Sequence, residues 1–313
     1  MEKAQAEKII ISESDENIRL DKFLVQHFSD LSRSQIQKLI QQEKVLVNQK
    51  PANKKYLLKI NDNITINFIK QEIEIKKPDL SPNKNITLDI VFEDENYLVL
   101  NKPANLIVHP SVSHSEGDTL INALIHYYPE ITEVGEDELR PGIVHRLDKE
   151  VSGLMVIAKT QAAFLDLKDQ FQDRKIYKEY IALVHGIPTK DQDIIKLNIS
   201  RSIDGHKMAA QPGVGKKAIT EYEIIEKYNN FALLKVVIKT GRTHQIRVHL
   251  NAIGYPVVGD QIYKPKKLIT RVKLDRIFLH SHKLEFSDIS GEKMSFSKDL
   301  PQELTRLINS FIL

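Results

Sequence analysis

Hydrophobic positions in the first part of the chain predict a small module of two helices and short strands. Between residues 18 and 28 the apolar side chains recur at three- and four-residue spacings, as in an amphipathic helix: Ile18, Leu20, Phe23, Leu24 and Phe28. A second helix is predicted after Ser32, its N-cap, with three apolar residues facing inward: Ile36, Leu39 and Ile40. Residues 44–48 and 64–68 alternate apolar and polar positions, which predicts two short strands.

The rest of the chain predicts a larger domain that contains both helices and strands. A charged stretch at 70–85, with Pro78 and Pro82, indicates a linker, so we expect one domain at 17–77 and another at 86–313. Helical spacing of apolar residues appears at 119–127 and 161–174. Strands are predicted at 90–92, 97–100, 154–158, 180–184, 231–239 and 277–284. This order of elements indicates an α+β fold.

Composition narrows the class of protein. Of 313 residues, 41% are hydrophobic and 28% are charged, which is typical of a soluble globular protein. The chain has no apolar run long enough to span a membrane and no secretory signal, so we expect a cytoplasmic protein without a membrane partner. Because the chain has no cysteine, disulfides, thiolate zinc sites and thiol nucleophiles are excluded.

Positive charge is concentrated in one part of the predicted small module. The net charge of the chain is only +3, but residues 33–59 contain seven cations and the single anion Glu43. Such a cluster is either a solvated surface or a contact for the phosphates of a nucleic acid.

The segment from Arg140 to Lys159 is the strongest candidate for chemistry. It places the carboxylate of Asp148 after the cations His145 and Arg146 and before Ser152, where a buried strand begins. An aspartate beside an arginine is also common in structural ion pairs. Three further segments combine polar and aromatic residues: 174–186 with Tyr177 and Tyr180, 240–250 with His244 and Arg247, and 101–110 with Lys102.

Two other patterns do not predict binding sites. His244 and His249 are five residues apart, as are His109 and His114, which does not match the i, i+4 spacing of a helical zinc site. Residues 213–217 contain two glycines and two lysines but lack the spacing of a phosphate loop.

Together these segments resemble a known enzyme family. HRLDKEVSGLMVIAK, KEYIALVHG and TGRTHQIRVHL follow one another at 145–159, 178–186 and 240–250, as in the RluA-type RNA pseudouridine synthases. RLDKFL and SRSQIQKLIQQEKVLVNQKP, at 19–24 and 32–51, resemble the S-four-type RNA-binding domain. The resemblance implies a catalytic domain with a mixed, mostly antiparallel sheet after a small α+β RNA-binding domain.

The resemblance also implies roles for individual residues. Asp148 is expected to act as nucleophile or base, Tyr180 to lie against the target uracil, and Arg247 to form a salt bridge in the site. Arg146 is expected to fill the space that the displaced base leaves. We expect further RNA contacts from Lys22, Arg33, Gln37, Lys38, Lys102, Arg242 and His244. Val151 stands where the family usually has threonine, and we expect only a small change in loop hydrogen bonding.

The implied reaction detaches a uracil base within RNA, turns it and rejoins it through carbon, with no cofactor and no metal. The expected partner is large-subunit ribosomal RNA or a precursor ribosomal particle, with helix 69 as the expected target and a monomer as the expected form. Alternatives are other uridines of the same RNA, an RNA-binding assembly factor without activity, or a glycosidase that pairs Asp148 with Glu150.

Overall fold

A computed structural model describes residues 6–28, 31, 33–67, 78–110, 116–202, 207–265, 272 and 274–311 of the chain. The described residues form two compact units, one on each side of residue 76. Each unit has a hydrophobic core of its own.

The first unit combines two helices with a four-stranded sheet. Its elements are β1 (Ala6–Ile10), α1 (Leu20–His27), α2 (Arg33–Gln41), β2 (Val45–Val47), β3 (Lys50–Pro51) and β4 (Asn63–Asn67). The antiparallel sheet has the order β1-β4-β2-β3. Both predicted helices are confirmed, and their apolar faces pack against Val45, Val47 and Ile64 of the sheet. Strand β1 was not predicted, and the predicted N-cap Ser32 lies outside the described residues.

The second unit is built on a nine-stranded sheet. Its strands, with a separate pair, are β5 (Ile90–Glu93), β6 (Tyr97–Lys102), β7 (Ser152–Ala158), β8 (Tyr177–His185), β9 (Gln192–Ile195), β10 (Asn198–Arg201), β11 (Met208–Gln211), β12 (Thr220–Lys227), β13 (Phe231–Ile238), β14 (Leu279–Ser287) and β15 (Lys293–Ser297). The sheet has the order β5-β6-β7-β14-β8-β13-β12-β9, and β15 pairs with β14. Strands β7 and β14 are parallel, whereas the other paired neighbours are antiparallel. The predicted α+β fold with a mostly antiparallel sheet is confirmed.

Among the described residues four α-helices accompany this sheet: α3 (Leu120–Tyr127), α4 (Gln161–Gln172), α5 (Gln245–Ala252) and α6 (Gln302–Asn309). Helices α3 and α4 were predicted, but α5 and α6 were not. The core lies on both faces of the sheet, because alternate residues of β6 enter different clusters, Leu98 and Leu100 one and Tyr97 and Val99 the other. No helix among the described residues is long and apolar enough to cross a membrane.

Part of the predicted linker packs on the second unit. The side-chain amide of Asn122 in α3 donates to the carbonyls of Asp79 at 2.8 Å and Ser81 at 2.9 Å. Asn83 donates to the carbonyl of Gly117 at 2.9 Å, and Leu80 packs against the core. Residues 79–83 are therefore held by the same helix that supports the sheet.

Gly153 allows the only parallel contact seen among the described strands of the sheet. It lies in β7 opposite Ser281 of β14, with φ at +117°. A Cβ atom at this position would collide with the backbone oxygen and nitrogen of Ser281. Because β7 directly follows the Asp148 loop, the close approach of these two strands also fixes where that loop ends.

We predict that Gly153→Ala lowers the free energy of unfolding by about 2–5 kcal/mol, because strain at positive φ adds to overpacking against Ser281. Urea denaturation of the two proteins measures this loss. Gly254→Ala is the matched control, since Gly254 has φ at +91° but no atom within 4 Å of the added Cβ. It should cost only about 1–2 kcal/mol. Equal losses in the two variants would contradict the collision at Ser281.

Candidate active site

Asp148 lies on a loop that is anchored on both sides. Leu147 and Val151 are buried in the core, and the backbone N–H of Val151 donates to the carbonyl of Asp148 at 3.1 Å. The Asp148 side chain keeps 16% of its surface exposed. The turn is thus closed by backbone and apolar packing, without the hydroxyl that a threonine at 151 would bring.

Arg247 of α5 joins Asp148 to a second carboxylate. Its Nη1 lies 3.2 Å from Oδ2 of Asp148, while its Nε and Nη2 donate to the two oxygens of Asp260 at 2.7 and 3.1 Å. The Arg247 side chain is only 2% exposed. Burial opposes its charge, but Asp260 and then Asp148 raise the pKa of Arg247 above its ordinary value. The guanidinium is therefore a permanent, fixed cation beside Asp148.

Asp260 is held as firmly as the arginine it binds. Its Oδ1 also accepts the backbone N–H groups of Ile262 and Tyr263, at 2.8 and 2.9 Å. Burial raises the pKa of Asp260, but the hydrogen bonds and charge of Arg247 outweigh burial, so its pKa lies below the usual range. The ring of Tyr263 also lies 5.4 Å from the guanidinium carbon of Arg247, which adds a cation–π contact.

The loop before α5 is shaped by Gln245. Its side-chain oxygen accepts from the Thr240 hydroxyl at 2.7 Å and the Arg242 N–H at 3.1 Å, and its amide donates to the Thr220 hydroxyl at 3.0 Å. His244, at φ +54°, starts the helix and lies 3.9 Å from Asp148 through Nε2. Its Nδ1 lies 2.8 Å from the Tyr263 hydroxyl.

Tyr180 of β8 completes a small cavity in front of Asp148. The cavity has a volume of about 100 Å³ and is lined by six of the residues singled out from sequence, Arg146, Asp148, Tyr180, Arg242, His244 and Arg247. Apolar side chains, including Ile238 and Leu279, form the rest of its wall. Burial raises the pKa of Tyr180, so its phenol stays protonated at neutral pH. The arrangement can act by nucleophile or base chemistry on a small planar group.

Lys102 does not have the predicted role of an RNA contact. It is fully buried, and its ammonium donates to the carbonyls of Pro103, Leu106 and Lys149 at 2.8, 2.9 and 3.2 Å. Burial, with a smaller effect of Arg276, lowers the pKa of Lys102 to about 7. Since Lys149 follows Asp148 directly, the hydrogen bond from Lys102 to the Lys149 carbonyl holds the Asp148 loop from the interior of the protein.

His145 is not a cation, contrary to the interpretation of the sequence. Burial lowers its pKa to about 3, and its Nε2 accepts the backbone N–H of Val156 at 3.0 Å. The neutral ring stacks on Phe171 with centroids 4.8 Å apart. By contrast Arg146 is exposed, with its Nη1 3.0 Å from Nε2 of His109.

The candidate RNA contacts of the first unit stay predictions. Lys22 and Lys38 are exposed, on α1 and α2. The Gln37 amide donates to Asp21 at 3.2 Å and accepts from Lys54 at 3.2 Å, so it is partly engaged within the unit. The side chain of Arg33 lies outside the described residues.

Asp260 and Tyr263 were not predicted as site residues. Both lie in a loop after Gly259, outside the segments whose pattern indicated chemistry, and only the folded chain brings them to Arg247. Among the described residues no group of three or more His, Asp or Glu side chains is arranged to hold a metal ion.

Comparisons with known proteins match both units. The family model described as "RNA pseudouridylate synthase" matches residues 96–252, and the S4 domain model matches residues 18–64. Ribosomal large subunit pseudouridine synthase D of Escherichia coli (strain K12) is 39% identical, with 95% of this chain and 92% of that protein covered. An uncharacterized RNA pseudouridine synthase of Aquifex aeolicus (strain VF5) is 40% identical, with 92% of each covered.

A solved structure agrees with these matches. Human RNA Pseudouridylate Synthase Domain Containing 1 aligns with a TM-score of 0.56 and 25% identity, covering 74% of this chain and 97% of the human chain.

We predict that Asp260→Asn lowers the free energy of unfolding by about 3–5 kcal/mol, because it removes the fully buried carboxylate that binds Arg247 and leaves only Asp148 and the more exposed Glu150 near the buried charge. Chemical denaturation at pH 7 measures the loss. Glu223→Gln is the matched control, since Glu223 pairs with Lys235 at the surface and should change stability little.

The same ion pair predicts a pH dependence. The folded-state pKa of Asp260 is lowered, so its contribution is present above the ordinary carboxyl pKa and is lost as the pH falls through the lowered value. The stability difference between wild type and Asp260→Asn should therefore shrink in acid. A difference that stays constant from pH 7 to pH 3 would show that Asp260 is not held as an anion.

Proposed function

Because this chain belongs to the RNA pseudouridylate synthase family, we propose that it isomerises uridines of large-subunit ribosomal RNA and that Asp148 is the group that attacks or deprotonates the target nucleotide. The observation that carries the proposal is the 3.2 Å contact between the Asp148 carboxylate and the buried guanidinium of Arg247, at the edge of the small cavity. The target class is supported by the 39% identity to synthase D, which spans nearly the whole chain.

The ion pair prepares Asp148 for this chemistry in two ways. The guanidinium of Arg247 gives the Asp148 carboxylate a fixed, charged partner at hydrogen-bonding distance. Arg247 contacts Oδ2 of Asp148, and Asp260 prevents the guanidinium from turning away. The carboxylate is thus aimed before the substrate arrives, and little reorganisation is needed during the reaction.

The cavity suits a single base that has left its stack. Extrusion from a helix costs a few kcal/mol, which favours uridines in loops. The Tyr180 ring offers a stacking surface for the uracil, and its protonated hydroxyl can donate a hydrogen bond. We propose that Arg146, which is exposed and lines the cavity, occupies the space that the base vacates, while Arg242 and His244 border the same cavity. All these side chains come from one chain, so we propose that a monomer suffices.

The first unit is proposed to add affinity for the RNA backbone. Exposed Lys22 and Lys38 lie on its two helices, and cationic side chains of this kind contact phosphates with little sequence preference. We propose helix 69 as the segment of RNA that is modified, on the strength of the likeness to synthase D. Other uridines of the same RNA are the competing targets.

We predict that Asp148→Asn slows pseudouridine formation at least about a thousandfold, because the amide can neither attack nor take up a proton. Carbodiimide-dependent reverse-transcription stops on unmodified large-subunit ribosomal RNA measure the product. Glu150→Gln is the matched control in the same loop. Its carboxylate lies 3.6 Å from Arg247 and is 39% exposed, and the variant should retain most of the activity.

The positions of the stops test the parts of the proposal separately. Stops in the helix 69 loop with wild type only would support both reaction and target, whereas stops elsewhere would contradict the target. Full activity of Asp148→Asn would contradict the role of the carboxylate. A wild-type protein without product on this RNA would contradict the proposed substrate.

We predict that Lys38→Gln removes about one phosphate contact. The slope of log K for RNA binding against log salt concentration should then become shallower by about 0.7–0.9. Filter binding at several salt concentrations measures the slope. Lys8→Gln, an exposed lysine on β1, is the control and should keep the wild-type slope. An unchanged slope for Lys38→Gln would identify the lysine as a solvated surface residue.

A further inference from the structure

A second, larger cavity adjoins the one in front of Asp148. Its volume is about 620 Å³, and it shares Arg146, Tyr180 and Arg242 with the smaller cavity. Six cations line it: Arg140, Arg146, Lys168, Arg174, Lys178 and Arg242. Within the described part of the chain no Asp or Glu lines this space, which we call the cationic cavity. Its chemistry therefore suits an anion.

The cations of the cationic cavity differ in how far the protein neutralises them. Lys168 pairs with Glu136, and Arg140 with Asp137 at 3.5 Å. Arg242 donates to the carbonyl of Lys217 at 3.2 Å. Arg174 and Lys178 have no ion pair with any residue that the structure describes. Arg146 and Arg242 also lack a carboxylate partner among the described residues, so unneutralised charge lies where the two cavities meet and on the side formed by the end of α4 and the start of β8.

Lys178 is the most unusual of these cations. It is only 8% exposed, yet neither a hydrogen bond nor an ion pair to its ammonium is found within the described residues. Its described contact is a cation–π interaction with Phe171, whose ring centroid lies 5.1 Å away. Burial lowers the pKa of Lys178 to about 8. Lysine is almost never buried without a partner, so a position of this kind is costly in the free protein.

Lys178 lies close to Tyr180, the residue that is proposed to contact the target base. Lys178 and Tyr180 are two residues apart in β8 and therefore project from the same face of the sheet. Tyr180 borders both cavities, whereas Lys178 borders the cationic one. A nucleotide whose base lies against Tyr180 must bring its sugar-phosphate backbone close to this face.

We propose that the cationic cavity binds a phosphodiester group of the RNA strand next to the target uridine, and that Lys178 is its central contact, with Arg174 and Arg146 beside it. The inference rests on the proposed function, because it takes the strand to be the one whose uridine lies in front of Asp148. An entering phosphate would supply the counter-charge that Lys178 lacks, and charge-assisted hydrogen bonds to phosphate are short and strong. Lys178 is then a binding residue for the backbone, distinct from the groups that act on the base.

Lys178→Met tests this inference, since methionine keeps the apolar stem and removes the charge. We expect RNA binding to weaken about tenfold, which corresponds to about 1.4 kcal/mol, and the slope against salt to fall by about 0.7. KM should rise while kcat is retained. Thermal stability should stay the same or increase, because an unpaired buried charge is removed. Lys235→Met, which removes a surface lysine paired with Glu223, is the matched control and should keep wild-type RNA binding.

A second measurement locates the phosphate. Single neutral methylphosphonate linkages are placed one at a time around the target uridine in a synthetic RNA stem-loop. One linkage should weaken binding to the wild type and leave binding to Lys178→Met unchanged. Equal effects of every linkage in both proteins would overturn the inference, as would a Lys178→Met protein with wild-type affinity and salt slope.

Failure of the inference is distinguishable from failure of the proposed function. Wild-type protein that binds this RNA without forming pseudouridine would contradict the proposed substrate, while the comparison of slopes would still decide the role of Lys178. Loss of stability in Lys178→Met together with an unchanged salt slope would show that the lysine is structural. Wild-type protein that does not bind this RNA would overturn the phosphate contact.

Discussion

A buried positive charge with carboxylates on two sides organises the catalytic half of this protein. Arg247 is almost completely withdrawn from water, and Asp260 stabilises it there through two hydrogen bonds and Asp148 through a third. The three residues come from a loop, a helix and a second loop that are distant in sequence. The desolvated charge therefore holds together three segments that form the site.

The loops around Asp148 are also held by polar side chains, which bind backbone groups that have no partner in a helix or strand. Lys102 collects three carbonyl oxygens beneath the loop, and Gln245 joins both edges of the turn before α5. Gly153 lets the next strand approach β14 without a side chain between them. These contacts are made within the protein and do not use the Asp148 carboxylate.

The spacing of apolar residues along the chain predicted four of the helices. The helices α1, α2, α3 and α4 were predicted because their apolar residues recur at helical spacing. Helix α5 was not, since Ile246, Val248 and Leu250 alternate with polar residues and carry no helical signal. Asp148, Tyr180 and Arg247, each from a different motif, line one cavity, but Asp260, which binds Arg247, belongs to no motif. Lys102 and His145 were misjudged because burial, which decides their charge and access, is a property of the folded chain.

Strand β8 presents Tyr180 and Lys178 on one face, and the two side chains have separate proposed roles, toward the base and toward a phosphate. It is hydrogen-bonded to β13 on one side and β14 on the other, so its register is shared with both neighbours. An insertion or deletion of one residue between these positions would turn one of the two side chains to the opposite face of the sheet. Evolution can therefore substitute Lys178 or Tyr180 separately, whereas an insertion or deletion between them would separate the two side chains.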